Sequence, residues 1–551
     1  MLVAKHQNTI ENAVKANQSR TFYSQYPEHP KAYGDEAHAI GVQSYQQMLN
    51  KPFKQLLQTG ETGWAGEEVS PYSGEVLGVT YPLFTVKDLI AKATEAGKAW
   101  AKVPVEQRAA VLTETLDKIR DHFFDIANAT MHTTGQSYMM SFQASGPHAN
   151  DRALEAIAAG YDEIRRYPGN LLWEKPMGKV SIKLAKSFHA IPKGVGVVIG
   201  CSTFPVWNSL PGMYADLITG NPVIVKPHPK AILPIAIAVS SIQQALEKMG
   251  YDPHLCQLAP DTSEHMITKE LAEDPAVKLI DYTGGSSFGD YIETLKGKTV
   301  FTEKAGVNSV IIDSVKDLDA VIQNLAFSVS LYSGQMCTAP QNFFIPEQGI
   351  NTNAGIVSFN EVVQKFKEAV EALVNNPKMG AGTLGAVQNE RTLQRAKEAA
   401  QLGGKVILQG QSINNEEYTK ARMFTPTIIE LSSADNNIYE QELFGPIVLI
   451  IKTKDTKHSV QLAKQMAQKH GAITCAAYTT DPAVKEEIRD EMNSVFTPVS
   501  FNLTGFIWVN QHAAFSDFHV TGGNPAGNAS FTNQEFILKR FVWVGNRELA
   551  E

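Results

Sequence analysis

The chain predicts an α/β protein built on two open, mostly parallel sheets, and three observations point there. At 551 residues it exceeds what one hydrophobic core of ordinary size supports, so two or three domains are expected. The unbroken apolar runs "VGVVIG" (195–200) and "PVIVKP" (222–227) read as strands covered on both faces. Strand and helix patterns alternate in two successive blocks, as parallel strands joined by crossover helices require.

Residues 1–70 read as an appendage, with a polar helix from Asn8 to Ser19 and then Tyr-, Pro- and Gly-rich connections. From Thr85, apolar recurrence near every 3.6 positions predicts helices in "TVKDLIAKATEAGKAWAKV" and "VEQRAAVLTETLDKIRDHFFDIANATMH". Val180, Ile182 and Leu184 alternate with polar residues, as a half-buried strand or hairpin does. Helices are expected from about Gly212, from Ile232 to Met249 and from Ser263 to Glu273. Strands are expected at Cys256–Leu258 and Val277–Tyr282. After Glu303 the alternation restarts with "NSVIIDSV", a helix through "LDAVIQNLAFSVSLYSG", the strand "NFFIP", a charged helix around Glu361 to Leu373, "PIVLIIKT" and "GAITCAAYT". The expected units are therefore 1–70, 71–303, 304–500 and a carboxyl-terminal segment 501–551. Its end, "QEFILKRFVWVGNREL", reads as a strand. Such a strand could pair across subunits or within the chain, and pattern leaves both open.

Composition excludes several classes. Hydrophobic residues are 43% and the net charge of −8 is dispersed, so neither a nucleic-acid nor a membrane-surface partner is indicated. No run approaches about 18 consecutive apolar residues, and the amino terminus is charged where a signal peptide would be apolar. The cytoplasm is the expected compartment. The four cysteines, Cys201, Cys256, Cys337 and Cys475, are spaced for neither a disulfide framework nor a zinc site. The fourteen histidines contain no H-E-x-x-H, and His512 and His519 stand isolated, so no metal is expected.

Two chemistries compete. "GSSFG" (285–289) matches a G-x-S-x-G nucleophile elbow between a strand and a helix, with Ser287 as nucleophile and His512 or His519 completing a triad. The same glycines equally suit a phosphate approaching helix N-terminal amides. The other candidate is Cys337 in "SLYSGQMCTAPQNFFIP", at a turn where a helix yields to a strand, whereas the remaining cysteines lie in or against apolar strand runs. Glu303 is a carboxylate at a strand end.

Five segments, "GNPVIVKP", "YTGGSSFG", "TEKAGVNSVII", "GQMCTAPQ" and "EQELFGPI", together and in this order resemble the aldehyde dehydrogenase superfamily. The likeness covers roughly Pro71 to Glu548, beginning with the hairpin-like "SPYSGEVLG". It implies two α/β domains, one binding a dinucleotide (71–303) and one carrying the cysteine (304–500). It also implies a strand element near 174–190 and the final segment that builds homodimers or tetramers. Residue by residue, Cys337 resembles the nucleophile and Glu303, 34 positions earlier, the general base. Lys226 resembles the contact to the adenosine ribose, Gly284, Gly285 and Gly289 the pyrophosphate turn, Glu442 the nicotinamide-ribose carboxylate, and Phe444 its neighbour at the ring.

Two departures matter. Pro229 stands where NAD-preferring relatives carry a glutamate, which implies NADP, with His228 or Lys230 as added counter-charge and NAD as the alternative. "STFP" places Thr203 where an oxyanion-binding asparagine is expected, with Asn208 as the other candidate. "GCSTFPVWN", "VKPHPKA" and "TGGNPAGNASFT" further resemble the phenylacetate-degradation PaaN group. That likeness implies oxidation of a ring-opened CoA-thioester semialdehyde to 3-oxo-5,6-dehydrosuberyl-CoA, with ring opening left to a separate hydratase. A simpler aldehyde is the alternative substrate.

Overall fold

The computed structural model describes residues 1–304, 306–509, 514–515 and 519–550. Five parallel strands form one sheet in the order Cys256–Leu258, Val223–Lys226, Val195–Ile199, Val277–Gly284 and Thr299–Lys304. Val197 and Ile199 enter one apolar cluster while Val198 enters another, so both faces are covered, as the apolar runs predict. Seven strands form the second sheet, in the order Lys405–Leu408, Thr427–Ser432, Ile447–Thr453, Asn342–Pro346, Ser309–Ile312, Cys475–Tyr478 and Val499–Phe501. Its Lys405–Leu408 edge strand runs antiparallel, and the other pairings are parallel. Val310 and Phe343 face one cluster, Ile311 and Phe344 the opposite one.

The structure revises several expectations. The amino-terminal stretch is bound into the main core and does not hang free. Its helix spans Leu2–Ser19, and Ile10, Ala13 and Val14 are buried with residues of the helices Val105–Arg120 and Ala149–Arg165. A second helix, Ala37–Met48, follows. The long helical stretch after Val105 breaks at Asp121 and His122 into two helices, the second spanning Phe123–Thr134. The helix expected from about Gly212 begins at Pro205, because proline at the first helical position lacks only an N–H that would have no partner there.

The strand-like terminus is a short helix, Glu535–Leu538, followed by the strand Phe541–Leu549. That strand pairs antiparallel with Val180–Pro192 of the same chain, which pairs in turn with Asn170–Met177. Arg540 anchors this terminus in the core. Its guanidinium lies 2.6 Å from Asp216 and 2.6 Å from Asp281 and stacks on Phe301 and Phe536. Among the described residues no helix is long and apolar enough to cross a membrane.

Candidate active site

Cys337 is presented by an abrupt stop to the helix Leu318–Ser330, whose start is capped when Asp317 accepts from the Ala320 N–H. Tyr332, Ser333 and Gly334 then take left-handed backbone angles, with φ of 52°, 49° and 64°. For the two non-glycines this costs roughly 1–3 kcal/mol each, so surrounding contacts must hold it. The Tyr332 hydroxyl donates to Thr134 O at 2.5 Å, and the Ser333 hydroxyl lies 3.0 Å from both Leu384 O and Phe424 O. At Gly334 a Cβ would sit 2.3 Å from Gly445 O, so glycine lets the Glu442–Phe444 segment close on the cysteine turn. Asn308 pins the other side. Its amide donates to Cys337 O and Ala339 O, and its oxygen accepts from the Ile473 and Thr474 N–H groups.

Glu303 projects from the edge strand Thr299–Lys304, opposite Thr283 in register. The glycine-rich loop near the carboxyl terminus covers that edge, with Lys304 N–H donating to Ala526 O at 2.7 Å. Three groups converge on the buried carboxylate. His519 Nε2 is 2.9 Å from Oε1, Asn208 Nδ2 is 3.2 Å from each oxygen, and the Cys337 Sγ stands 3.5 Å from that same His519 nitrogen. Burial alone would raise the Glu303 carboxyl, but His519, with Arg152 and the Cys337 thiol, holds it below the usual carboxylate value. Burial, the Glu303 charge and Cys201 push the Cys337 thiol well above its ordinary value. The His519 ring packs edge-on to Trp207, and the Arg152 guanidinium lies 4.0 Å over that indole. A cleft beside Trp207 is lined by Tyr23, Ser24, Glu28, His148 and Arg152, so the amino-terminal segment borders the site.

The two oxyanion candidates separate in space. Thr203 turns its hydroxyl toward Cys201 Sγ at 3.8 Å, and its carbonyl accepts from Gln136 at 2.7 Å. Asn208, one turn into the helix Pro205–Ile218, carries its amide to Glu303.

At the other end of the crevice, the strand Val195–Ile199 lies between Val223–Lys226 and Val277–Gly284, so strand order reverses there, as at dinucleotide crevices. Gly284 and Gly285 lead into the helix Ser286–Glu293, whose first residues are exposed. Gly289 has a packing role: a Cβ there would meet Lys304 Cδ at 2.5 Å. These features fit a dinucleotide pyrophosphate.

The groups expected to face a 2'-phosphate are each paired or neutral. Lys226 Nζ is 2.6 Å from Asp261 Oδ1, with both side chains sealed from solvent. Burial and the charges of Lys226 and Lys230 push the His228 imidazole down to about 4, so it is neutral at pH 7. Lys230 is paired with Glu390 at 2.9 Å. Glu442 is pushed up to about 7 by burial, with Arg395 opposing, and the Phe444 carbonyl accepts from Arg395 at 2.7 Å.

Among the described residues the hydrolase arrangement is not built. Ser287 is exposed on its short helix, while His519 is committed to Glu303 and Cys337. His512 lies outside the described residues. The expectation that His519 stands isolated is overturned, since it lies 182 positions from Cys337 and 216 from Glu303 yet touches both. Asp261, Arg152, Asn308 and Gln136 were also missed. Asp261 alone had a positional signal, since it follows a parallel strand at its carboxyl end.

The aldehyde dehydrogenase family model matches residues 61–536. The chain belongs to the aldehyde dehydrogenase family. Members carry out NAD(P)-dependent aldehyde oxidation, and the two-sheet fold is theirs. A crystal structure of an NAD-dependent aldehyde dehydrogenase from Burkholderia multivorans superimposes with a TM-score of 0.97 at 42% identity, covering 100% of this chain and 99% of that one. Vanillin dehydrogenase from Corynebacterium glutamicum is 23% identical over 88% of this chain and 95% of its own length. The NAD-bound structure of 1-pyrroline-5-carboxylate dehydrogenase from Thermus shares the fold, with a TM-score of 0.76 at 18% identity over 96% of this chain and 99% of that one.

Proposed function

We propose that this member oxidises an aldehyde to its carboxylic acid through Cys337, on one carrying observation: the Cys337 thiol, the Glu303 carboxylate and the Asn208 amide converge in one buried cluster. Cys337 adds to the aldehyde carbonyl, and its proton passes to the adjacent carboxylate and on to solvent, which restores Glu303 as a base. Asn208 Nδ2, with the Cys337 N–H, donates to the oxyanion of the tetrahedral adduct. Bound nicotinamide dinucleotide supplies the hydride acceptor. Loss of hydride leaves a thioester on Cys337, and Glu303 takes a proton from the water that hydrolyses it. Gly284, Gly285 and the start of the helix Ser286–Glu293 would hold the pyrophosphate, Lys226 the adenosine end and Glu442 with Phe444 the nicotinamide end.

For the cofactor we favour NAD. Asp261 neutralises Lys226, His228 is uncharged and Lys230 is paired, so a 2'-phosphate would gain little. The similar Burkholderia multivorans protein is described as NAD-dependent. For the substrate we favour the ring-opened CoA-thioester semialdehyde of phenylacetate degradation, produced by a separate hydratase in the cytoplasm. Support comes from the three PaaN-like segments, one of which bridges to Glu303 through Gly527. The exposed apolar residues Leu172, Val180, Val542 and Val544 on the three-stranded sheet support a homodimer or tetramer joined there.

The test is an assay of purified protein against that semialdehyde, vanillin and short aliphatic aldehydes, each with NAD and NADP. Oxidation of the semialdehyde by wild type and not by Cys337→Ala supports the reading. Equal activity in the variant would remove Cys337 from the chemistry, and oxidation of only the plain aldehydes would remove the substrate assignment.

A further inference from the structure

Thiol, carboxylate and imidazole meet at a single atom. Cys337 Sγ lies 3.5 Å from His519 Nε2, and Glu303 Oε1 lies 2.9 Å from the same nitrogen. A proton relay through imidazole uses its two nitrogens in series, with the nucleophile on one and the carboxylate on the other. Here one nitrogen faces both groups, a layout that serves one shared proton or one shared cation.

The donor set suits a cation. Cysteine, histidine and glutamate are the zinc ligands of proteins, and three of them plus an open fourth position is the usual arrangement of accessible zinc sites. With Zn–S near 2.3 Å and Zn–N near 2.0 Å, a tetrahedral ion holds sulfur and nitrogen about 3.5 Å apart. The Cys337–His519 separation is 3.5 Å, and the three donor atoms all lie within 4.8 Å of one another. Glu303 need retreat only a few tenths of an ångström. His519 and Glu303 are 2% and 4% exposed, while Cys337 is half-buried, so the cysteine is the donor nearest solvent. Trp207 braces the imidazole ring. Among the described residues, the Glu303 carboxylate and the Cys337 thiol bring negative charge to this point once the thiol is ionised, with the Arg152 guanidinium and the Cys201 thiol nearby.

We propose that Cys337, His519 and Glu303 form an inhibitory site for a thiophilic divalent cation such as zinc, which blocks addition of the aldehyde. Binding forms metal–sulfur and metal–nitrogen bonds and breaks the S–H bond and the Nε2–H bond that faces Glu303. The thiol proton goes to solvent and the Nε2 proton to Nδ1 or, from an imidazolium, also to solvent, with no change of oxidation state. The inhibitory consequence rests on the proposed nucleophilic role of Cys337, whereas the binding does not.

Cobalt(II), a spectroscopic substitute for zinc, is titrated into the reduced full-length protein without substrate. The expected result is one thiolate-to-cobalt charge-transfer band saturating at one equivalent, displaced by zinc. Zinc should release about one to two protons per chain at pH 7, according to the charge His519 carries, and protect Cys337 from iodoacetamide until a chelator is added. His519→Ala, checked for folding by circular dichroism, should weaken cobalt binding at least about tenfold, and should His519→Ala fail to fold, Glu303→Gln should shift the band. Absence of the band, or unchanged affinity in His519→Ala, overturns the site. Cation binding by a protein that oxidises no aldehyde would overturn the proposed function and leave this site standing.

Discussion

Asp261 Oδ1 lies 2.6 Å from Lys226 Nζ, and both side chains are almost wholly enclosed. The pair joins the carboxyl end of the strand Val223–Lys226 to the loop that follows Cys256–Leu258. Where the chain has Pro229, it carries no carboxylate to repel a 2'-phosphate, yet the next strand supplies one. Replacing Asp261 by Asn should therefore release the Lys226 charge and raise the NADP-to-NAD ratio of kcat/KM by roughly tenfold, or about 1.4 kcal/mol. Steady-state kinetics with both cofactors decide it, and an unchanged ratio would show that Asp261 has no part in cofactor choice.

Asn208 and Thr203 make opposite predictions. Asn208→Ala should lower kcat by a factor of about 10²–10³, the loss usual for one oxyanion donor, with little change in cofactor affinity. Thr203→Ala should leave kcat within a few fold, because its hydroxyl faces Cys201. The reverse ranking would return the oxyanion role to Thr203.

Glu442 should make cofactor binding pH-dependent. Burial raises its carboxyl from the ordinary range to about 7, so it is protonated below that pH in the cofactor-free protein. A carboxylate accepts hydrogen bonds from ribose hydroxyls and the protonated acid accepts them poorly, so affinity should rise as pH passes upward through 7. Calorimetric titrations at pH 6 and pH 8 measure this, and Glu442→Gln should flatten the difference.

Arg540 bears on stability. It is wholly buried between Asp216 and Asp281, and Phe301, on which it stacks, belongs to the strand that carries Glu303. Arg540→Ala leaves two buried carboxylates without a cation and should cost about 3–5 kcal/mol in urea unfolding. Those carboxylates would then have raised folded-state pKa values, so stability lost at pH 8 should be partly regained as pH falls.

The exposed apolar sheet face predicts association. Val544→Asp, at the centre of the strand Phe541–Leu549, should shift the protein to a smaller species in light scattering while its circular dichroism is retained. An unchanged mass would place the interface elsewhere.

What could be read in advance follows the range of the physical signal. Strands Cys256–Leu258 and Asn342–Pro346 stand where their apolar runs end, because a run of side chains covered on both faces is a local pattern. The helix Ala149–Arg165, which supplies Arg152, lies outside the elements that pattern predicts, and the helix expected from about Gly212 starts at Pro205, where a first-turn proline is tolerated.

The amino-acid order alone determined two sheets of alternating strands, a cysteine at a turn and a carboxylate at a strand end, since periodicity and turn chemistry act between neighbours in the chain. Only the tertiary structure decided which charges meet: Asp261 with Lys226, His519 with Glu303 and Cys337, Arg540 with Asp216 and Asp281. Electrostatic and hydrogen-bond energies depend on distances of a few ångströms, and a separation of 216 or 324 positions along the chain carries no information about those distances until the sheets have packed.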